Sequence, residues 1–285
     1  MKRLNRPAHD ARRTLMFCAK SLIDKDFQAR VTAVADEIEV AETTYKDCGS
    51  KASLYTIKEA TSVGGGSVTM QEMRKLYKGT FSRKGSLPRR IYDEIKTAPG
   101  NAICPLCAQR DVSTLDHYLA LTRHPALAVT PVNLVPACNA CNKAKLDRQP
   151  SSAAEQTLHP YFDDVDDEVW LYANLIESVP PAFVFCSMPP TTWHPTKQAR
   201  VCKHFQIFGL ASLYSIHAAV ELVNIRDGLM RIVGRGGMDD LRSHLAEQAL
   251  SRKAVTKNSW QGAMYEALSK SEWFCKDGYK DIRQI

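Results

Sequence analysis

The sequence has no long apolar run, since none of its hydrophobic stretches approaches the ~18 residues that span a bilayer. Near its start there is no uninterrupted apolar segment followed by small residues, so a secretory signal is not expected there. Internal repeats and low-complexity segments are also absent. We therefore expect a globular, cytoplasmic protein with no membrane partner.

The composition is that of an ordinary globular protein, with 285 residues, 44% hydrophobic and 24% charged. Collagen-like chains and disulfide-stapled miniproteins are excluded on this ground. Nine cysteines are present, and a reducing compartment keeps them as thiols unless a metal binds them. Four of the nine form two Cys-x-x-Cys pairs, which calls for a metal-based explanation.

Positive charge is concentrated in the first part of the chain. Residues 1–100 carry 19 Lys and Arg against 12 Asp and Glu, whereas residues 151–285 carry 14 against 16. Any affinity for a polyanion is therefore expected from the first part.

Apolar spacing predicts a helical region over residues 1–100. One or two amphipathic helices are expected between Asp10 and Cys48, with a break near Asp24. Farther along, Thr69 precedes Glu72 by three residues, which predicts a capping box at the start of a helix from Met70 to Tyr77.

Residues 101–150 form the second predicted segment. Short apolar pieces at Val112–Leu115 and Leu127–Val129 alternate with prolines, which favours short strands and loops over a long helix.

Residues 151–285 are predicted to be mainly helical. The pattern indicates a helix at Val169–Val179, a strand at Phe183–Cys186 and long helical periodicity from Thr196 to Val233. Two more helices are expected near Met238–Ala249 and Ser259–Ser269.

The two Cys-x-x-Cys pairs predict a structural zinc site. Cys104 and Cys107 form one pair and Cys138 and Cys141 the other, which together supply the four thiolates of a tetrahedral Zn²⁺. The alternatives are one redox-active pair or four buried structural thiols. A site with four thiolate ligands is closed, so chemistry would need other residues.

Those residues lie between and just after the pairs, in three motifs: Leu115-Asp116-His117-Tyr118, Asn133-Leu134-Val135-Pro136 and Cys138-Asn139-Ala140-Cys141-Asn142-Lys143-Ala144-Lys145. This segment, about 50 of the 285 residues, resembles the HNH endonucleases in their four-cysteine, His-Asn-Asn form. The resemblance implies a ββα-metal motif. The predicted fold class is thus α+β: a central ββα-metal HNH motif with a zinc knuckle, flanked by mainly α-helical N- and C-terminal regions.

The residue types suit phosphodiester hydrolysis, which needs a base for water and a cation for the developing charge. A histidine titrates near working pH, and Asp and Asn offer the hard oxygen ligands of Mg²⁺ or Mn²⁺. By resemblance His117 is the general base, Asp116 and Asn142 hold the catalytic metal, and Asn133 positions His117. Asn142 replaces a histidine of many family members, which favours Mg²⁺ over softer cations.

A basic strip at residues 74–90 is a candidate DNA track. Its cations are Arg74, Lys75, Lys78, Arg83, Lys84, Arg89 and Arg90, with no acid among them. Such a strip can neutralise several phosphates, and the alternative is a solvated linker. Lys143 and Lys145, in the third motif, are predicted to contact phosphate near the scissile bond.

His159 lies shortly after the second cysteine pair, beside two aromatic and two acidic residues. It is either an accessory element of the same active site or part of a segment whose aromatic residues anchor in the core.

These observations predict a metal-dependent HNH endonuclease that cleaves DNA. The alternatives are a zinc-stapled nucleic-acid-binding module without activity and an RNA-cleaving nuclease. By resemblance, a role in restriction or antiphage defence, a protein partner such as an ATPase and a homo-oligomer are further hypotheses.

Overall fold

The structure is a computed structural model that describes residues 1–283. It divides into two units, Met1–Asp164 and Val165–Ile285. Both combine helices with small two-stranded antiparallel sheets, which is compatible with the predicted α+β class.

Three helices begin the first unit: α1 (Ala11–Lys20), α2 (Lys25–Ala33) and α3 (Ala35–Ser50). The side chains of Asp10 and Asp24 accept hydrogen bonds from backbone amides in the first turns of α1 and α2. Asp24 therefore lies at the predicted break, and α2 begins directly after it. Its carboxylate accepts a hydrogen bond from an amide that has no partner within the helix.

A short hairpin follows, made of β1 (Ser62–Val63) and β2 (Val68–Thr69). It leads into α4 (Met70–Leu76), then a π-helical turn at Tyr77–Phe81, and then α5 (Arg89–Thr97). The basic strip therefore begins on a helix, crosses a loop and ends on the next helix.

The capping box at the start of α4 is confirmed. The Glu72 amide donates to Thr69 Oγ1 over 3.3 Å, and the Thr69 amide donates to Glu72 Oε2 over 2.8 Å. Arg30 donates to the other oxygen of Glu72 over 2.8 Å, and this hydrogen bond is the largest cause that lowers the pKa of Glu72 to about 2. These bonds fix where α4 begins.

The next element is an antiparallel ribbon of β3 (Thr114–His117) and β4 (Leu134–Ala137), in which every residue of one strand pairs with one of the other. Helix α6 (Asn139–Lys145) follows β4 directly. Leu127–Val129 forms no strand, and both short strands and loops were expected in this segment. That stretch belongs to a loop with a 3₁₀ turn at Pro125–Leu127, where a proline fixes the backbone at the first position.

One hydrophobic core joins the helices to the ribbon. Leu15, Ile38 and Leu76 belong to the same buried cluster as Leu115 and Leu134. The segment 101–150 is therefore not a separate body within residues 1–164, since it shares its core with the preceding helices.

The second unit begins with a hairpin of β5 (Leu171–Ile176) and β6 (Ala182–Ser187). The strand β6 agrees with its prediction, but the helix predicted at Val169–Val179 is wrong. Periodicity over so few residues does not separate helix from strand, and tertiary contacts decide. The backbone amide of Trp170 donates to Asn258 Oδ1 over 2.8 Å, which holds the start of this segment extended.

Four helices complete the second unit: α7 (Pro195–Ile207), α8 (Leu210–Val255), α9 (Trp260–Lys270) and α10 (Glu272–Lys276). Gly209 separates α7 from α8 with a φ of +59°, which only glycine adopts without strain. Among residues 1–283 no individual helix is both long and apolar enough to cross a membrane; α7 and α8 meet that test only as a pair, bent by 61°.

Candidate metal centre and active site

The four cysteines of the two pairs come together in the first unit. Their sulfur atoms all lie within 4.8 Å of one another, and all four residues are buried. Cys138 is the N-cap of α6, and its sulfur accepts the Cys141 amide over 3.3 Å. The Arg110 amide donates to the sulfur of Cys107 over 3.4 Å. Amide donors of this kind stabilise thiolates, so the cluster can hold a metal such as zinc.

Hydrogen bonding within the cluster shifts the pKa values of its thiols in opposite directions. The hydrogen bond with Cys104 lowers the pKa of Cys107 to about 6 and is the largest cause that lowers the pKa of Cys138. The hydrogen bond with Cys107 raises the pKa of Cys104, and the hydrogen bond with Cys104 raises the pKa of Cys141. The arrangement joins the loop before β3 to the start of α6. A bound ion would thus fix the helix against the ribbon.

The first prediction is that the purified protein contains one zinc ion per chain. Cys138→Ser should lower this content, because three sulfurs and a hydroxyl bind zinc less well than four thiolates. Elemental analysis measures it, with Cys202→Ser as the control, since Cys202 is exposed and lies outside the cluster. Folded protein without zinc would contradict the prediction.

A cavity of about 280 Å³ lies beside the ribbon, and it brings together residues from four elements. Asp116 and His117 reach it from the end of β3, and Asn142 reaches it from α6. Arg74 and Lys78 line it from α4 and the π-helical turn. Three of the four predicted catalytic residues therefore share one cavity with two cations of the basic strip.

The imidazole of His117 is held by the loop between β3 and β4. Its Nε2 lies 2.8 Å from the carbonyl oxygen of Ala128. A carbonyl only accepts hydrogen bonds, so Nε2 carries the proton and Nδ1 carries the lone pair. Burial lowers the pKa of His117 to about 4, despite the opposing bond to Ala128. The imidazole is therefore neutral at pH 7, with an unprotonated Nδ1.

Asp116 is 5% exposed and is paired with a buried lysine. Its Oδ2 lies 3.3 Å from Nζ of Lys145. Burial raises the pKa of Asp116 to about 6, and the charge of Lys145 opposes that rise. No hydrogen bond reaches Oδ1 of Asp116 or the side-chain amide of Asn142 within residues 1–283.

Asn133 does not line the cavity. It is fully buried, and its side chain accepts from the Leu119 amide over 2.8 Å and donates to the Leu127 carbonyl over 3.2 Å. Ala128, whose carbonyl holds His117, is the next residue after Leu127. Asn133 thus fixes the loop that holds the imidazole.

The structure corrects the role predicted for Lys145. This lysine is 5% exposed and donates to the His117 carbonyl over 2.8 Å as well as facing Asp116. Its amine is not available to phosphate, because it already neutralises a buried carboxylate. Lys143, on the same helix, is exposed, and its contact with phosphate stays a prediction.

The cations of the basic strip fall into two groups. Arg89 donates to Asp93 and to the Ser82 carbonyl and lies over the ring of Tyr92, so it is committed to its own helix. Arg90 pairs with Glu94. The remaining five are exposed and form no ion pair among residues 1–283: Arg74, Lys75, Lys78, Arg83 and Lys84.

His159 is not an accessory residue of this cavity. It is 1% exposed, and its Nε2 lies 2.9 Å from the hydroxyl of Tyr45. Its Nδ1 accepts the Tyr161 amide over 3.1 Å. The histidine is thus bonded at both nitrogens inside an aromatic cluster, as the alternative of a core anchor predicts.

Tyr77 was not predicted to belong to the site. Its ring lines the cavity and packs edge-on against His117, with 4.6 Å between the ring centroids. The sequence spacing of Arg74, Tyr77 and Lys78 indicates that they lie together, because residues three and four apart share one face of a helix.

Comparison with known proteins adds one similarity over the full length. The chain is 26% identical to protein ea31 of Escherichia phage lambda, over 96% of this chain and 99% of that protein. No protein-family model matches the chain. No solved structure matches it either.

Proposed function

We propose that the protein is a metal-dependent endonuclease of the HNH type that hydrolyses phosphodiester bonds in DNA. The observation that carries the proposal is the cavity shared by His117, Asp116 and Asn142. These residues lie on an antiparallel ribbon and the helix after it, beside four clustered cysteines. That order and geometry suit a ββα-metal motif with a structural zinc.

His117 suits the role of general base. Its Nδ1 has a free lone pair, and the Ala128 carbonyl and the Tyr77 ring restrict the imidazole. In the proposed step, water oxygen bonds to phosphorus while the bond to the leaving sugar oxygen breaks. The proton from water passes to Nδ1, and the leaving oxygen takes a proton from solvent.

The donor atoms around the cavity fit a hard divalent cation. Oδ1 of Asp116 and the amide oxygen of Asn142 both lack a partner within residues 1–283. Mg²⁺ in nucleases and related enzymes is commonly held by one or two carboxylates, water and substrate phosphate. When bound, Mg²⁺ or Mn²⁺ would supply positive charge for the transition state. Asp116 and Asn142 would hold it.

The test is a plasmid-cleavage assay with purified protein in Mg²⁺, in Mn²⁺ and in EDTA. Conversion of supercoiled DNA to nicked or linear forms is expected with either metal and not with EDTA. Binding to DNA without cleavage in any metal would favour the alternative of a binding module. A parallel assay on single-stranded RNA of the same sequence distinguishes the RNA-cleaving alternative.

The similar phage protein has a name that states no activity. A role in restriction or antiphage defence, an ATPase partner and self-association stay predictions from the resemblance alone.

The second prediction concerns the DNA contacts of the cavity rim. Replacing Arg74 and Lys78 together with alanine should flatten the dependence of log affinity on log salt by about 1.8, because each phosphate contact contributes about 0.9. Fluorescence anisotropy across a salt series measures the slope. Arg235 and Lys276, exposed cations of the second unit, provide the matched double-alanine control. Equal slopes in the two variants would mean that Arg74 and Lys78 do not contact the DNA.

The third prediction concerns pH and metal. Burial raises the pKa of Asp116 to about 6, so protons compete with the metal for this carboxylate as the pH falls below that value. The metal concentration that gives half-maximal cleavage should rise about tenfold per pH unit there. Saturating Mn²⁺ at pH 5.5 should restore activity, because His117 is still neutral. A loss that no metal concentration reverses would contradict this assignment.

A further inference from the structure

A second cavity, of about 400 Å³, lies between α1 and α5 in the first unit. We name it the α1–α5 pocket. Its apolar surface comes from Phe17, Ile91 and Leu87, and its charged rim includes Arg13 and Arg90. A cavity of this size lies within the range of about 300–1,000 Å³ that small-molecule sites occupy. None of these residues belongs to the candidate active site.

The charges of the α1–α5 pocket favour an anionic ligand, because its acid is already paired and Arg13 forms no ion pair among residues 1–283. Glu94 is its acidic residue, and the two oxygens of this carboxylate are engaged by His9 Nε2 at 2.6 Å and by Arg90 Nε at 3.0 Å. The guanidinium of Arg13 lies 5.7 Å from the centre of the Phe17 ring. A cation at the rim can bind the phosphate of a nucleotide, and an aromatic ring inside the pocket can stack on its base.

Leu87 adds an observation that points to DNA. It is 76% exposed, although it is a large apolar residue. It follows Arg83 and Lys84 in the loop before α5, and Gly85, with a φ of +80°, makes the turn that presents it. Proteins that unstack DNA insert an exposed apolar side chain of this kind between base steps while cations nearby hold the phosphates.

We infer that the α1–α5 pocket receives one unstacked nucleobase of the DNA that the basic strip binds. A base in an intact duplex is stacked on both faces and does not enter a concave pocket, so the inference requires Leu87 to fill the gap that the base leaves. It rests on the DNA-binding part of the proposed function and does not depend on cleavage.

Photo-crosslinking tests this placement directly. DNA in which every thymine is replaced by 5-iodouracil is bound to full-length His117→Ala protein without metal and irradiated. Mass spectrometry should then find the crosslink on the peptide that contains Phe17. Crosslinks confined to other peptides would overturn the inference.

Affinity measurements show how much Phe17 contributes to DNA binding. Phe17→Leu should weaken binding to single-stranded DNA about tenfold and remove any preference over intact duplex, because it removes the stacking surface. Phe162→Leu is the matched control: Arg6 lies over that ring at 4.5 Å, but Phe162 does not line the pocket. Equal losses in the two variants would overturn the inference.

Leu87→Ser covers the case in which Phe17→Leu fails to fold, because Leu87 is too exposed to support the core. It should lower the yield of the Phe17 crosslink several-fold, and an unchanged yield would overturn the inference. Crosslinking without nuclease activity in the wild type would refute only cleavage, and cleavage without the crosslink would refute only the pocket. Absence of any DNA binding would refute both.

Discussion

His117→Ala is expected to lower the rate of plasmid cleavage by about 10²–10⁴-fold, the usual contribution of a general base. The loss should fall on the turnover rate at saturating DNA, because the imidazole takes a proton in the transition state and is not a main phosphate contact. Single-turnover cleavage with excess protein measures this rate directly.

Two controls distinguish loss of the general base from loss of folding or of DNA binding. Zinc content and DNA affinity should match the wild type, since His117 is neither a cysteine of the cluster nor a cation. His244→Ala makes the same chemical change on α8 in the second unit and should leave the rate unchanged. A cleavage rate of His117→Ala within a few-fold of wild type would contradict the assignment of His117 as the general base.

The local features of the fold were predictable from the sequence. The capping box of Thr69 and Glu72 and the helix start at Asp24 depend on residues three positions apart, so their spacing is visible in the chain. The strand β5 was not predictable in this way. Its apolar residues at 171 and 175 fit a helical spacing equally well, and only pairing with β6 and the bond from Trp170 to Asn258 decide.

Some residues of the candidate site were also predictable from the sequence, and others were not. The residue types at 116, 117 and 142 and the cysteine spacing indicate the chemistry directly in the amino-acid sequence. Tyr77 and Lys145 were placed only by the fold. Lys145 reads as an exposed helical cation in the sequence, but its partners lie 28 and 29 positions away, on β3. Contacts across such separations leave no local pattern.

Lys145→Met is expected to destabilise the first unit by about 3–5 kcal/mol. Removing one partner of a buried ion pair leaves the carboxylate of Asp116 without compensation, and the His117 carbonyl also loses its donor. The matched control is Lys143→Met on the same helix, because Lys143 is exposed and should change stability by no more than about 0.5 kcal/mol. All four tryptophans lie after residue 165, so tryptophan fluorescence reports on the second unit. Hydrogen exchange of β3 and α6 in urea, with zinc present, is the appropriate measurement.

The sign of the pH dependence separates a lost ion pair from lost packing. The pKa of Asp116 is already raised to about 6 by burial, and removing Lys145 raises it further, because the ammonium opposes that rise. A carboxyl group with a raised pKa in the folded state costs stability as the pH rises through that value. The destabilisation in Lys145→Met should therefore be largest at pH 7.5 and shrink towards pH 5, where the proton replaces the ammonium. Adding Asp116→Asn should recover part of the loss at pH 7.5. A destabilisation that is equal at both pH values, and unchanged by Asp116→Asn, would mean that Lys145 acts through its hydrocarbon chain alone.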